Sequence, residues 1–225
     1  MCYMPQYLNA ICPLYPIKLI KTVRLRVKAT EKLLRDPSMD LKIVVLVRDP
    51  RGTYNSRSEM KWCAGPKCAD PAKGCDDLNS DISAAFDLHK RYPGHVHLVR
   101  MEDLSMEPEE TTREMLKFLK LPWKEAMSQY INTHTEKDRK KMVRNKKTKE
   151  LELYKSPYGT VRNSTATAFA WRKKLGLVNA TKIQEVCKEP MERLGYKLVQ
   201  NQQDLDKEEI PIIKSAKEVW PFGEN

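Results

Sequence analysis

The segment LKIVVLVRDPRGTYNSRS, residues 41–58, indicates how the chain folds. Its first half, around Ile43 to Val47, is a run of apolar residues, which predicts a parallel strand buried on both faces. A helix is predicted to follow, with Asp49 as its cap and Pro50 at its first position. We therefore expect an α/β fold in which a buried strand passes directly into a helix.

Arg48 and Ser56 flank the start of this predicted helix. Arg48 stands at the carboxyl end of the strand, where open α/β sheets bind their ligands. Ser56 follows eight residues later, one to two turns into the helix. A guanidinium supplies paired charged donors and a hydroxyl supplies a third. These two side chains are thus predicted to bind one phosphate group.

The pattern Arg48-Asp49-Pro50-Arg51, followed by Ser56-Arg57, resembles the 3′-phosphate-binding motif of Golgi carbohydrate sulfotransferases. It is most similar to the family that sulfates the 6-hydroxyl of galactose, N-acetylgalactosamine or N-acetylglucosamine. Further segments occur in the order that this family shows: Ile20 to Arg24, Val99 to Leu104, Phe118-Leu119, Trp171-Arg172 and Leu194 to Tyr196.

The resemblance implies a P-loop-NTPase-like fold of three layers around a parallel sheet. It also implies transfer of a sulfuryl group from 3′-phosphoadenosine-5′-phosphosulfate (PAPS) to a sugar hydroxyl. No metal is expected, because the cysteines at 63, 68 and 75 lack a fourth zinc ligand, the nearest histidine being His89 inside a predicted helix. Arg48 and Ser56 match the positions that bind the 3′-phosphate of this donor. In the family, a Ser/Thr-rich segment before a Trp-Arg pair lies over the nucleotide, which makes Ser164, Thr165 and Arg172 further candidates for donor contacts.

One family feature is absent before Arg48, namely the Gly/Ser-rich loop that wraps the 5′-phosphosulfate. Residues 1–20 contain no glycine, whereas backbone amides cradle phosphates where the chain turns tightly. We therefore expect a partial sulfotransferase domain over residues 1–200, without its N-terminal part, and a polar tail over 201–225. The group that polarises the leaving phosphate would belong to the missing loop, and no catalytic base is identified. The alternative is a catalytically inactive isoform that binds a glycan or a nucleotide.

The net charge of +11 points to an acidic partner, such as nucleic acid, anionic lipid or anionic glycan. No zinc-finger, helix-turn-helix or RNP-like pattern supports nucleic acid, and no GxxxxGK[ST] motif supports a P-loop kinase. Residues 137–149 contain eight Lys or Arg and one Asp. This segment is interpreted either as an exposed loop or as a binding surface for a polyanionic glycan.

Six cysteines and two glycosylation sequons favour a secretory protein. Disulfides are predicted to staple the segment from Cys63 to Cys75, although six cysteines leave fifteen pairings open. The sequons begin at Asn163 and Asn179. With no apolar run of 18 residues, the sequence contains neither a signal peptide nor a membrane anchor. The expected location is the Golgi lumen, as a type II membrane protein when full-length.

Periodicity and turn signals predict the remaining elements. A strand over 17–25 and a helix over 26–35 are expected to form a strand–helix–strand crossover with the strand before Arg48. Glu102, just after a predicted strand over 95–100, is interpreted as structural. Helices are predicted over 79–91 and over 108–119. A further short helix is predicted to end at about residue 131, and a last one over 179–194 is followed by Gly195.

Overall fold

The structure, a computed structural model, describes residues 4–63, 65–135, 142–144, 151–153, 161–207, 212–215 and 219. Of the basic segment 137–149, only the backbone of Met142–Arg144 is among them. The interpretation of that segment as a glycan-binding surface therefore lies outside the described residues.

The first part of the chain contains a short helix, α1 (Pro5–Ile11), a 3₁₀ turn (Cys12–Leu14) and then an exposed segment without helix or strand. The predicted strand over 17–25 is wrong, because the described residues include no neighbouring strand for this segment, and Leu19 is 92% exposed. A lone strand leaves its backbone groups and its apolar side chains unpaired. The helix predicted next is confirmed as a 3₁₀ turn, Val27–Thr30, that continues into α2 (Glu31–Leu34).

The parallel sheet has two strands among the described residues, β1 (Ile43–Val47) and β2 (Val96–Arg100). Their register pairs Ile43 with Val96 and Val47 with Arg100, so both strands end at the same edge. The chain between them forms α3 (Pro50–Ser58), α4 (Pro66–Ala69) and α5 (Pro71–Arg91). The predicted α/β class with a parallel sheet is confirmed, but the crossover runs from β1 to β2 and does not involve residues 17–25.

The main core lies on one face of this sheet, where β1 and β2 pack with α5 and with α11 (Leu177–Arg193). On the opposite face, Leu46 is 60% exposed. The prediction that β1 is buried on both faces is therefore wrong. In the described chain, the opposite face is contacted at β2, where the His97 ring stacks on Phe118 at a centroid distance of 5.0 Å. The apolar run of β1 shows its strand character but not which face is covered.

Helices complete the described fold. After β2 come α6 (Met101–Met106), α7 (Pro108–Phe118) and α8 (Glu125–Thr135), and then an antiparallel pair, β3 (Met142–Arg144) and β4 (Leu151–Leu153). Three further helices precede or follow α11 in the chain: α9 (Ser164–Phe169), α10 (Trp171–Lys174) and α12 (Gln202–Asp206).

A second apolar cluster joins Trp171 of α10 to Leu205 of α12 and to Ile212. The segment assigned to a polar tail from residue 201 thus begins with a helix that packs against the domain. Gly195 follows α11 with φ of +75°, the left-handed conformation predicted for the glycine after a helix.

Two disulfides confirm the predicted framework. Cys63–Cys68 closes a five-residue excursion after α3, and Cys75–Cys187 joins α5 to α11 across the core. Cys12 is exposed and has no disulfide, and Cys2 lies outside the described residues. None of the described helices combines the length and the apolar character that crossing a bilayer requires.

Candidate anion-binding site at the end of the first strand

The junction between β1 and α3 has the geometry that the sequence predicts. Asp49 caps α3, accepting a hydrogen bond from the Arg51 backbone N–H at 2.8 Å, and Pro50 takes the first helical position. Pro fits there because the N–H that it lacks would have no partner inside the helix. The strand therefore ends at Val47, directly before Arg48, and the helix begins at Pro50.

One side of this junction is a closed network of buried charges, which we name the paired side: Asp49, Arg51 and Glu102. Arg51 is completely buried and binds Asp49 with two nitrogens, Nε at 3.0 Å from Oδ1 and Nη2 at 2.7 Å from Oδ2. Its Nη1 donates to the Gln184 side chain and to the Lys197 carbonyl. Trp171 lies 4.1 Å from its guanidinium carbon. Arg51 is thus fully engaged inside the protein.

Glu102, the third member of the paired side, connects the ends of both strands. Its carboxylate accepts the Asp49 backbone N–H at 3.0 Å and the Tyr196 hydroxyl at 2.7 Å. Burial, and then the nearby Asp49 carboxylate, raise the pKa of Glu102 to about 7. These contacts agree with the structural role that the sequence predicts for Glu102, since they hold the backbone just after Arg48.

The other side of the junction carries Arg48. This half-buried side chain donates from Nη2 to the Thr167 carbonyl at 3.3 Å. Its Nε is buried without a hydrogen-bond partner, and in the described part of the chain no carboxylate forms an ion pair with it. A buried donor with no partner costs about 1–3 kcal/mol, which an added acceptor can recover. Arg48 is therefore suited to receive an anion.

The electrostatics of Arg48 agree with this geometry. Burial lowers the pKa of its guanidinium, the Glu102 and Asp49 carboxylates oppose the shift, and the positive charge of Arg162 adds to it. An arginine remains charged in proteins despite such a shift. Two guanidinium groups that repel each other beside a strand end are stabilised together by a bound anion.

Gly52 provides the surface on which Arg48 lies. A Cβ added at this position would lie 3.2 Å from Arg48 Nε and 3.2 Å from Cδ1 of the buried Trp171. Glycine therefore lets the guanidinium approach the helix closely.

Ser56 lies one helical turn beyond Gly52, on the same face of α3. It is half-buried, and its hydroxyl has no hydrogen-bond partner among the described residues. We name Arg48, Gly52 and Ser56 the open side of the junction. Its polar groups are a guanidinium and a hydroxyl, which can bind one phosphate together.

Ser164 and Thr165 occupy the first turn of α9 beside this site. Both hydroxyls donate to the Ser105 carbonyl at 2.9 Å, which joins α9 to the end of α6. A hydroxyl that donates within the protein can still accept, but a phosphate is itself an acceptor. The predicted donor contacts of these two residues stay a prediction.

Arg172 is buried and binds the carboxyl end of α12. Its guanidinium donates to the carbonyls of Asp204, Leu205 and Lys207, at the carboxyl end of that helix. Cations stabilise helix carboxyl ends, where carbonyls have no partner inside the helix. Its predicted contact with the donor stays a prediction, and the hydrogen bonds observed are structural.

Two residues at the site, Gly52 and Arg162, were missed by the sequence analysis, and Trp171 was noted there only as part of the Trp171-Arg172 pair. A glycine inside a predicted helix, four residues after Arg48, is a signal of close approach that could have identified Gly52. The position of Trp171 beside Gly52 and the position of Arg162 had no such signal, since only the packing of α10 and the course of the chain before α9 bring them there.

A family model described as a sulfotransferase domain matches residues 21–195 of the chain. Carbohydrate sulfotransferase 1 of Rattus norvegicus is 32% identical over 219 residues, covering 90% of this chain and 50% of that protein. The Homo sapiens protein of the same name is 31% identical, covering 91% and 50%. Carbohydrate sulfotransferase 3 of Mus musculus is 26% identical, covering 89% and 43%.

The chain thus spans about half the length of the curated relatives that it matches. No solved structure was found to match it.

Proposed function

Since this chain belongs to the sulfotransferase domain family, we propose that it takes part in the transfer of a sulfuryl group from PAPS to a sugar hydroxyl. The proposed acceptor is the 6-hydroxyl of a sugar in a glycan or proteoglycan. The names of the relatives, carbohydrate sulfotransferases 1, 2 and 3, support a sugar acceptor. They favour an enzyme over the alternative of an inactive binding protein. PAPS supplies the activated sulfuryl group in this reaction.

Within this function, the open side binds the 3′-phosphate of the donor. Arg48 supplies charged donors and Ser56 supplies a hydroxyl, while Gly52 lets the guanidinium lie against α3. The observation that supports this proposal is the partly buried Arg48 guanidinium, which has one long hydrogen bond and, among the described residues, no ion pair. The two residues bind and orient the donor, and we assign them no part in breaking the bond to sulfur.

The proposed location is the lumen of the Golgi, as a type II membrane protein when full-length. The disulfides Cys63–Cys68 and Cys75–Cys187 support an oxidising compartment. The proposed acceptor is an anionic or a neutral glycan. The net charge of +11 is suited to an anionic one, because an excess of positive surface charge attracts a polyanion over a distance. No nucleic acid is proposed as a partner.

The test is a binding cycle with two nucleotides and two proteins. Adenosine 3′,5′-bisphosphate and adenosine 5′-monophosphate differ only in the 3′-phosphate, and the wild type is compared with Arg48→Ala by calorimetry. We expect the substitution to weaken binding of the bisphosphate by about 10- to 100-fold, the value of one or two charge-assisted hydrogen bonds. Binding of the monophosphate should not change.

The control is Arg35→Ala, which removes the same charge from an exposed residue paired with Glu31 on α2. It should leave the affinity for both nucleotides unchanged. Equal losses for the two nucleotides in Arg48→Ala, or equal losses in the two variants, would refute the assignment of the 3′-phosphate to Arg48.

A further inference from the structure

The two glycosylation sequons, Asn163-Ser164-Thr165 and Asn179-Ala180-Thr181, lie in different surroundings. Asn163 precedes α9 and is half-buried, whereas Asn179 is exposed in the first turn of α11. From this difference we propose that Asn179 carries an N-linked glycan and that Asn163 does not. The proposal rests on the luminal location that the proposed function implies.

Asn179 can carry a large polar group without disturbing the packing of α11. Ala180 faces the core and is completely buried. The two residues before it, Val178 and Asn179, lie on the exposed side of the helix, and Val178 is 67% exposed. The Asn179 Nδ2 donates to the Leu175 carbonyl at 3.0 Å. A glycosylated amide keeps one N–H, so that the linkage removes one hydrogen and leaves one donor on this nitrogen. A glycan there would extend into solvent.

Asn163 is the cap of α9, a helix that packs against α6. Its Oδ1 accepts the Ala166 N–H at 2.8 Å as the cap of α9, and its carbonyl accepts the Thr167 hydroxyl at 2.7 Å. The two following hydroxyls both donate to the Ser105 carbonyl of α6. The sequon therefore lies along a packed seam.

The same seam adjoins the open side, because Arg48 donates to the Thr167 carbonyl four residues after Asn163. A glycan on Asn163 would have to leave the protein beside the proposed 3′-phosphate site. The folded structure thus accommodates a glycan at Asn179 and disfavours one at Asn163.

The modification is a group transfer from a lipid-linked oligosaccharide diphosphate of the host membrane. The bond between the anomeric carbon and the diphosphate oxygen breaks, and a bond from that carbon to the Asn179 Nδ2 forms. The amide loses one proton, and the lipid diphosphate leaves with the electron pair of the broken bond. No oxidant or reductant is needed. The hydroxyl of Thr181 completes the recognised sequence.

The experiment directs the whole chain to the lumen of cultured human cells with a cleavable signal peptide. The secreted or retained protein is treated with peptide N-glycosidase in ¹⁸O-water, and the converted residue is identified by mass spectrometry. We expect ¹⁸O-aspartate at position 179 and unconverted asparagine at 163. A mobility shift of a single glycan should occur in the wild type and in Asn163→Gln and Thr181→Ser.

That shift should vanish in Asn179→Gln and in Thr181→Ala, the second of which keeps the asparagine and loses only the sequon. A shift that persists in these two variants, a shift lost in Asn163→Gln, or no shift in the wild type would overturn the proposal. Binding of adenosine 3′,5′-bisphosphate is measured on the same samples. A glycan at Asn179 without nucleotide binding refutes only the proposed function, and nucleotide binding without this glycan refutes only the present inference.

Discussion

The two sides of the β1–α3 junction use the same residue type in opposite ways. On the paired side, Arg51 is buried and meets a carboxylate, an amide oxygen and a backbone carbonyl. On the open side, three residues earlier, Arg48 has a long bond to one carbonyl and a buried Nε without a partner. A guanidinium that the fold satisfies holds the structure together, whereas one that the fold leaves unsatisfied is available to a ligand. Within four residues, Arg51 thus contributes to stability and Arg48 is available for binding.

The largest effect should come from breaking the paired side with Arg51→Ala. This substitution leaves the buried Asp49 carboxylate without its cation, which typically costs about 3–5 kcal/mol of the free energy of unfolding. Urea denaturation measures the change. Arg48→Ala, on the open side, should lose less than about 1 kcal/mol, because it removes a desolvated charge that has no ion pair among the described residues. Equal losses in the two variants would abolish the distinction between the sides.

The pH dependence of stability should sharpen the comparison through Glu102. Its pKa is raised to about 7 in the fold, from 4.5, so the folded state binds the proton more tightly than the unfolded state. The stability contributed by this protonation is complete below pH 4.5 and is lost as pH rises through 7, a loss of about 3 kcal/mol.

The measurement compares urea unfolding at pH 5 and pH 8 in the wild type and in Glu102→Gln. His97 acts in the opposite direction, since burial lowers its pKa, and the difference between the two proteins cancels that contribution. We expect the Gln variant to lose about 2 to 3 kcal/mol less than the wild type over this range, slightly below the full value because the unfolded carboxyl is already partly ionised at pH 5. An identical pH dependence in both would show that Glu102 does not titrate in the fold.

A smaller effect is expected from Gly52→Ala, which crowds the open side alone. The added Cβ meets the Arg48 guanidinium and the buried Trp171 ring, so the half-buried guanidinium must shift. We expect about tenfold weaker binding of adenosine 3′,5′-bisphosphate, or about 1.4 kcal/mol, with little loss of stability because alanine favours the helix. Gly65→Ala is the matched control, since nothing lies within 4 Å of its Cβ position. Unchanged affinity in Gly52→Ala would show that Arg48 does not need this surface.

The smallest effect should follow the loss of one neutral donor in Ser56→Ala. A hydroxyl bonded to a phosphate contributes about 1 kcal/mol, so the affinity for the bisphosphate should fall about fivefold, measured by calorimetry. Ser58→Ala removes a hydroxyl from the same helix, where it bonds to the Asn55 carbonyl, and should leave the affinity unchanged. If both variants bind as tightly as the wild type, Ser56 takes no part in the site.

The fold was predicted best where the signals were local. The apolar run before Arg48, the Asp49 cap and Pro50 identify β1 and the start of α3, because each depends on residues adjacent in the chain. The strand predicted over 17–25 failed because a strand also needs a partner, and alternating apolar residues carry no information about which segment lies beside them. Leu46 shows the same limit: the apolar run of β1 predicts a strand, but it does not tell which face of that strand is covered.

The sequence by itself determined the family resemblance, the order of strand and helix around Arg48, and the presence of a disulfide framework. The tertiary structure alone decided that the Arg51 guanidinium is fully hydrogen-bonded in the core while that of Arg48 is not. It also decided that Cys75 pairs with Cys187 across 112 residues. The physical reason is that propensity and capping act between near neighbours, whereas burial and charge pairing depend on residues that meet only when the chain has folded, such as Glu102, Trp171 and Gln184 beside the β1–α3 junction.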